Sequence, residues 1–215
     1  MIDKLHYISQ QADDGSQLTA IQQALAAGCK WIQLRVKNQP PKVILDYAIA
    51  AKTMCNQYGA KLIIDDHPDI ALQCGAHGVH LGLQDMPVAE ARRIVGDNMM
   101  IGGTANTFAH IQQRADEGVD YIGCGPFRFT TTKENLSPIV GLSGYKMLVD
   151  QMDAAKIRIP VIAIGGILPA DVLHIKQAGI YGVALSGAIT FADHREQVVK
   201  QIYQHLNDPS LQQVI

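Results

Sequence analysis

The sequence predicts an α/β fold, and within that class a single-domain (β/α)8 TIM barrel. The chain has 215 residues, 47% of them hydrophobic, which suffices for one sizeable core. Eight short apolar segments alternate with eight helix-like segments, and this order predicts a parallel sheet. The alternative is an open doubly wound sheet, but no Gly-x-Gly-x-x-Gly follows the first strand. Eight strand–helix units close most economically as a barrel, although the length is near the lower end for that fold.

Helix start and stop signals separate the elements along the chain. Pro41 and Pro87 suit a first helical turn, and Ser16 and Thr107 suit N-caps. Glycines at 28, 59, 75, 96, 118 and 179 stand just past predicted helix ends. The predicted strands are 5–9, 31–37, 61–66, 78–82, 100–105, 121–125, 160–166 and 182–187. The predicted helices lie near 16–27, 41–58, 68–75, 87–95, 107–117, 143–156, 169–178 and 190–206. We expect one domain over 1–215, with 206–215 as a candidate loose tail.

Composition excludes several classes of function. The net charge of −2 supplies no basic field for nucleic acid or an anionic membrane surface. The N-terminus lacks the basic and apolar regions of a signal peptide, and no apolar run reaches the roughly 18 residues of a membrane span. The four cysteines form no CxxC pair and are interpreted as buried thiols. We therefore expect a cytoplasmic protein that acts on small molecules, with a homo-oligomer left open.

The second predicted strand, WIQLRVK at 31–37, carries both cations and apolar residues. Strand side chains alternate between faces. One face suits packing on helices and holds Ile32, Leu34 and Val36. The other points into the barrel and holds Gln33, Arg35 and Lys37. Inward cations are costly without an anion, so we expect a phosphate-binding cradle at the C-terminal mouth; the alternative is an edge strand whose polar face meets water.

Carboxylates are predicted at the same rim. Alternation puts Leu62, Ile64 and Asp66 on one face of the third strand; if that face is inward, Asp66 enters the mouth and Asp65 sits at the lip. Asp85 follows the fourth strand. Two acids beside an Arg/Lys cradle indicate Mg2+ shared with substrate phosphates. The alternatives are that Asp85 caps the helix near Pro87 and that Asp66 is a turn residue.

A second anion site is predicted from three other segments. The stretch 126–142 is long for a barrel loop, and its Thr130, Thr132 and Lys133 suit phosphate oxygens. The seventh strand ends in two glycines, and 186–190 runs from the eighth strand into a helix. Barrels often bind phosphate after strands seven and eight, although both turns could simply need glycine. Two anion sites suit an enzyme that joins or exchanges two phosphorylated molecules. No Cys/His dyad supports a covalent nucleophile, and His80 is interpreted as a packing residue.

The chain resembles the thiamine-phosphate synthase (thiamin phosphate pyrophosphorylase) family. The resemblance runs from about Trp31 to Thr190 and rests on IQLRVK, IIDDHPDIAL, GAHGVHLGLQDMP, IGGTANT, DYIGCGPFRFTTTK and IPVIAIGGI. It implies a (β/α)8 barrel that uses Mg2+. The implied reaction joins 4-amino-5-hydroxymethyl-2-methylpyrimidine diphosphate to a thiazole phosphate, giving thiamine phosphate and pyrophosphate. Diphosphate leaves first to give a pyrimidine cation, and the thiazole nitrogen then attacks.

The resemblance also implies roles for individual residues. Asp66 and Asp85 would bind Mg2+, and Arg35, Lys37 and Lys133 would be catalytic. Gln33 would join Arg35 and Lys37 on the pyrimidine diphosphate, and Thr130, Thr132 and Lys133 would bridge both substrates. The further implied substrate contacts are Asp65, Thr104, Gly166, Ser186, Gly187, Ala188, Ile189 and Thr190.

Three positions depart from the family pattern. Asp65-Asp66 stands where Asn-Asp is usual, Thr104 replaces a Ser, and the family's Ser aligns with Gly187. Two other functions stay open at this point. A thiazole tautomerase would need a general acid/base, but Pro126 and Phe127 stand where its His is expected. A non-catalytic barrel that senses a phosphorylated metabolite is motivated by Asp65 alone.

Overall fold

All eight predicted strand segments form strands, and they close into one parallel barrel. The computed structural model describes residues 1–129 and 138–209. The strands pair in chain order, and β1 also pairs with β8 to close the sheet. Their bounds are β1 Leu5–Ile8, β2 Trp31–Leu34, β3 Lys61–Asp65, β4 Gly78–Leu81, β5 Met100–Ala105, β6 Tyr121–Cys124, β7 Val161–Ile164 and β8 Gly182–Leu185.

Helices connect the strands, as the alternating pattern predicts. Ser16 and Thr107 act as N-caps, since their hydroxyls accept from the N–H groups of Thr19 and His110, each at 3.2 Å. Pro41 begins α2. The helices are α1 Gln17–Ala26, α2 Pro41–Gln57, α3 Pro68–Gln73, α4 Val88–Val95, α5 Phe108–Asp116, α6 Gly141–Ala154, α7 Val172–Gln177, α8 Gly187–Thr190 and α9 Arg195–Leu206, with a 3-10 turn at Pro169–Asp171. No helix of 1–129 or 138–209 is long and apolar enough to cross a membrane.

The last predicted helix, 190–206, is wrong at its beginning. The chain forms the short α8, turns at 191–194 and starts again with α9. The Arg195 guanidinium donates to the Thr190 carbonyl at 2.7 and 3.0 Å, and so satisfies an acceptor at the end of α8. The predicted strand 182–187 also runs too far, because Gly187 already begins α8.

Two apolar layers hold the barrel together. The interior layer consists of Ile8, Trp31, Ile63, Tyr121, Ile162 and Ala184. The outer layer packs the other strand faces against the helices and includes Ile32, Leu34 and Val36, as predicted. Gly102 on β5 makes room for the interior aromatics, because a Cβ at that position would overlap the Tyr121 ring.

The cysteines match their interpretation as buried thiols. Cys29, Cys55 and Cys124 are buried, Cys74 is partly buried, and all four are free. Burial raises the pKa of each of the three buried thiols to about 12. A thiol held neutral in this way is a poor nucleophile and a poor metal ligand.

Candidate active site

A cavity of about 620 Å3 opens at the C-terminal ends of the strands. This is the barrel face on which active sites are built. Every strand, or the segment that follows it, contributes to the lining. Among the lining residues are Gln10, Gln33, Arg35, Lys37, Asp65, Asp66, His80, Asp85, Thr104, Asn106, Gly165, Gly166, Ser186, Gly187 and Ala188.

The polar residues of 31–37 divide between the barrel interior and its mouth. Gln33 is inside and only 4% exposed, and its amide nitrogen donates to Asp65 Oδ1 at 2.6 Å. Because β2 ends at Leu34, Arg35 and Lys37 lie beyond the strand, at the mouth. The prediction of a cationic cradle is consistent with this geometry, although the cradle is built from the loop rather than the strand.

The inward face of β3 is the reverse of the one predicted. Ile63 belongs to the interior layer, whereas Leu62 and Ile64 pack on the helices. Asp65 therefore points inward and is 8% exposed. Asp66 reaches the mouth because the backbone leaves the strand there, at φ +65°. Strands buried on both faces carry no hydrophobic alternation, so the pattern could not reveal which face is inward.

The cations and acids of the mouth contact one another. Arg35 Nε lies 3.5 Å from Asp65 Oδ2. Lys37 Nζ pairs with Asp66 and lies 3.9 Å from Asp65 Oδ2. Lys37 is about half exposed, so water screens its pairs with the two carboxylates.

Asp85 completes the acidic side of the rim. Its Oδ2 accepts from the Gly82 N–H at 2.6 Å, whereas Pro87 is the N-cap of α4 and makes no side-chain cap. The alternative role of Asp85 as a helix cap is thus wrong, while the left-handed turn at Asp66 agrees with its alternative role as a turn residue. Burial raises the pKa of Asp85, and the neighbouring Asp66 raises it further.

The carboxylates at this rim can serve as ligands of a hard divalent cation if other oxygen atoms complete its coordination shell. Asp66 and Asp85 repel each other as charged groups, and a divalent cation would relieve that repulsion. In the described part of the chain, no three His, Cys, Asp or Glu side chains come together as metal ligands. Mg2+ commonly uses one or two carboxylates and completes its shell with phosphate oxygens and water.

The glycine-rich turns lie on the other side of the cavity. Gly165 and Gly166 have φ of +97° and +69°, so their turn does require glycine, and both also line the cavity. Ser186, Gly187 and Ala188 line it from β8 and α8. Ile189 and Thr190 do not. Ile189 is buried in the outer layer, and the Thr190 hydroxyl lies 2.7 Å from the Tyr7 hydroxyl.

The floor of the cavity holds His80 and Thr104. His80 Nε2 lies 3.0 Å from the Thr104 hydroxyl, and Nδ1 lies 3.1 Å from the Tyr121 hydroxyl. His80 is buried, as expected of a packing residue, but it also lines the cavity. Sequence reasoning missed Asn106, whose amide nitrogen donates to the Gly125 carbonyl. Its place directly after β5 was the available signal.

Three predicted contacts, Thr130, Thr132 and Lys133, lie outside the described residues. The segment that leads to them is anchored at Arg128. Its guanidinium donates to Asp171 Oδ1 at 2.7 Å and lies 4.9 Å from the centre of the Phe127 ring. This anchor joins the end of the β6 segment to the turn before α7, on the glycine side of the cavity.

Comparison with known proteins identifies the family. A family model described as thiamine monophosphate synthase matches residues 5–189. A thiamine-phosphate synthase from Bacteroides fragilis is 48% identical over 198 residues, which cover 92% of this chain and 97% of the relative. One from Flavobacterium psychrophilum is 48% identical over 206 residues, covering 96% and 100%. A solved thiamine phosphate pyrophosphorylase from Pyrococcus furiosus superposes with a TM-score of 0.82 at 27% identity, covering 95% of this chain and 96% of that one. With these matches over a closed barrel and its polar mouth, the chain belongs to the thiamine monophosphate synthase family.

Proposed function

We propose that this chain couples the pyrimidine diphosphate to the thiazole phosphate, releasing pyrophosphate and forming thiamine phosphate. The observation that carries the proposal is the division of one cavity into two polar sides. Cations and carboxylates line one side, and two glycine turns line the other. Two phosphorylated molecules bound in this way would meet in the middle of the cavity, with no protein nucleophile required. That arrangement supplies catalysis by proximity and orientation.

The charged residues would act on the leaving diphosphate. As the bond from the pyrimidine methylene carbon to the diphosphate oxygen breaks, that oxygen gains negative charge and the pyrimidine becomes a cation. Arg35 and Lys37, which line the cavity, would neutralise the oxygen, an effect that is strong in a partly enclosed site. The thiazole nitrogen then donates its electron pair to the methylene carbon and forms the new bond. Lys133, Thr130 and Thr132 stay proposed contacts of both substrates.

Asp66 and Asp85 are the residues that would hold Mg2+. When bound, Mg2+ supplies positive charge to diphosphate oxygens. Asp65 would contribute by orienting Gln33 and Arg35 from inside the barrel, through the contacts of 2.6 and 3.5 Å. We further propose a single-domain cytoplasmic enzyme with small phosphorylated substrates, in which neither nucleic acid nor membrane takes part.

A coupled assay tests the proposal. Purified protein receives the pyrimidine diphosphate, the thiazole phosphate and Mg2+, and pyrophosphate and thiamine phosphate are followed together, with and without EDTA. We expect both products to form in step and to need the metal. A folded protein that binds both substrates and forms neither product would contradict the proposal and favour a sensor. Interconversion of thiazole phosphate tautomers without coupling would favour the tautomerase.

A matched pair of lysine variants tests the cationic side. Lys37→Ala removes the mouth charge and should lower kcat/KM by at least about tenfold, or 1.4 kcal/mol. Lys42→Ala removes an exposed lysine of α2 and should leave kcat/KM unchanged. Equal activity of the two variants would remove Lys37 from the proposed machinery.

A further inference from the structure

Three buried polar side chains form a chain of hydrogen bonds that ends at the floor of the cavity. The Tyr121 hydroxyl lies 3.1 Å from His80 Nδ1, and His80 Nε2 lies 3.0 Å from the Thr104 hydroxyl. His80 and Thr104 line the cavity, whereas Tyr121 lies beneath them in the interior layer and is 1% exposed. Tyr121 can therefore influence a bound ligand only through the other two. Sequence reasoning assigned no role to it.

Two glycines make room for the rings of this chain. A Cβ at Gly102 on β5 would lie 2.5 Å from the Tyr121 hydroxyl oxygen, and a Cβ at Gly123 on β6 would lie 3.0 Å from His80 Cε1. The sheet register places His80 beside Gly102 and Thr104 beside Gly123. Each ring therefore fills space that a glycine on another strand leaves, and the barrel holds both rings in one geometry.

The first hydrogen bond of the chain has a defined direction. Burial raises the pKa of Tyr121 well above its ordinary value, so the hydroxyl keeps its proton. Among the described residues, His80 Nδ1 is the acceptor within reach of that proton, and a buried hydroxyl proton without an acceptor is costly. Tyr121 therefore donates to Nδ1. Because an accepting nitrogen carries no proton, the His80 ring is neutral and has its proton on Nε2.

The second hydrogen bond takes its direction from the first. The Nε2–H group of His80 donates to the Thr104 oxygen, so the hydroxyl proton of Thr104 points away from His80 and toward the cavity that this residue lines. With the other tautomer of His80, the Thr104 hydroxyl would donate to Nε2 and would offer the cavity only an acceptor. The Tyr121 hydroxyl thus decides whether the floor of the cavity presents a donor.

We infer that Tyr121 is a positioning residue, which fixes the tautomer of His80 and thereby turns the Thr104 hydroxyl into a hydrogen-bond donor to substrate. The inference rests on the proposed function for the identity of the reaction. The family resemblance implies that Thr104 contacts substrate, and the new element is the control of that contact from inside the barrel. Tyr121 itself touches neither substrate.

Nitrogen NMR of protein with isotope-labelled histidine tests the tautomer without any turnover. A ring nitrogen that lacks a proton resonates far downfield of one that carries it, and His80→Gln identifies the signals of His80. We expect Nδ1 without a proton and Nε2 with one in wild type. In Tyr121→Phe the Nδ1 signal should shift, because that nitrogen loses its donor. The opposite tautomer in wild type, or an unchanged Nδ1 signal in Tyr121→Phe, would overturn the inference.

A double-mutant cycle tests the effect on the reaction. Tyr121→Phe should lower kcat/KM by about tenfold, the size expected for the loss of one buried hydrogen bond. Thr104→Val removes the hydroxyl proton that Tyr121 would direct. In the Thr104→Val background, Tyr121→Phe should therefore change kcat/KM by less than about twofold. An equal factor in both backgrounds would overturn the positioning role, because a merely structural effect of Tyr121 would not depend on the Thr104 hydroxyl.

A matched tyrosine provides the control. The Tyr203 hydroxyl donates to Asp3 Oδ1 at 3.0 Å, and Asp3 precedes β1 at the end of the barrel opposite the cavity. Tyr203→Phe also removes one hydroxyl and should leave kcat/KM unchanged. An equal loss in Tyr203→Phe and Tyr121→Phe would contradict a specific role for Tyr121.

Calorimetry separates this inference from the proposed function. The pyrimidine diphosphate with Mg2+ and the thiazole phosphate are each titrated into wild type and the three variants of the cycle. We expect Tyr121→Phe to raise the Kd of one of these ligands in the wild-type background and not in the Thr104→Val background. If wild type makes no product but shows this pattern and the expected tautomer, the inference stands and the proposed reaction fails. Unchanged Kd values for both ligands in Tyr121→Phe, together with unchanged kcat/KM, would overturn the inference.

Discussion

At the scale of single residues, Asp65 joins the barrel interior to the charged mouth. It is buried, accepts from Gln33 inside the barrel and faces Arg35 at the rim. The family resemblance implies Asn at this position, so the charge is a departure. The amide of an Asn side chain could still accept from Gln33 through its carbonyl oxygen, whereas it could not pair with a guanidinium as an anion.

Asp65→Asn should therefore keep most of the activity. We expect kcat/KM within about tenfold of wild type, because the carbonyl oxygen of an Asn side chain can still accept from the Gln33 amide. Asp65→Ala should lose more than about tenfold, since the buried Gln33 amide loses its acceptor. Steady-state kinetics on both variants check this. A loss greater than tenfold in Asp65→Asn would show that the charge itself is needed.

His6 makes the stability of the protein depend on pH. It stacks on Trp31 with ring centres 4.3 Å apart, and burial lowers its pKa to about 3. An unfolded His has a pKa near 6.5, so between these values only the unfolded state binds the proton. The free energy of unfolding thus falls as pH falls below about 6.5, by about 2 kcal/mol between pH 7 and pH 5.

His6→Phe should remove this acid sensitivity while keeping the stacked ring. Urea unfolding at pH 7 and pH 5 should show a drop about 2 kcal/mol smaller than in wild type. His194→Gln, at an exposed position, controls for the loss of a histidine. Equal drops in wild type and His6→Phe would mean that His6 is not the group responsible.

At the scale of elements, α5 holds the rim of the cavity through one buried arginine. Arg114 is 4% exposed, and its guanidinium donates to the carbonyls of Gly82 and Thr104 at 2.8 and 3.2 Å. A third contact, 2.7 Å long, pairs it with Glu117. The Gly82 N–H in turn donates to Asp85. Arg114 therefore positions Asp85 indirectly, because it holds the backbone of Gly82 in place.

Arg114→Met should weaken both the fold and metal binding. Two carbonyls lose a charged donor, and we expect the free energy of unfolding to fall by about 3 kcal/mol. The Mg2+ concentration for half-maximal activity should rise, because Gly82 no longer fixes Asp85. Urea unfolding and a Mg2+ titration measure the two effects. Arg93→Met, on the exposed face of α4, should change neither; a normal Mg2+ requirement in Arg114→Met would contradict the positioning role.

The sequence predicted where the strands and helices lie better than it predicted which face of a strand points into the barrel. Periodicity, N-caps and terminal glycines located all eight strands, because these are local signals. The inward face of β3 was missed because Ile63 and its neighbours are buried on both sides. The break between α8 and α9 was missed because 191–194 contains neither Gly nor Pro.

At the scale of the whole molecule, closure of the barrel brings residues from both ends of the chain to one cavity. β1 pairs with β8, so Gln10 meets the Gly187 turn, while β2, β3 and the β4 loop supply the charged side. The charged residues and the glycine turns come from different strands of one closed barrel. Ligands of each side should then stabilise the fold independently, each by an amount set by its concentration relative to its Kd.

Thermal unfolding with one ligand at a time tests this independence. Pyrophosphate with Mg2+ at about 100 times Kd should stabilise wild type by about 2.7 kcal/mol, and hence raise Tm by roughly 5–10 °C. Thiazole phosphate alone should also raise Tm. Asp85→Asn should lose the Mg2+-dependent part of the first rise and keep the second, because only the acidic side changes. Asp97→Asn, at an exposed position after α4, should keep both. Loss of both rises in a folded Asp85→Asn protein would mean that the two sides act as one site, because the barrel would then be transmitting the change between them.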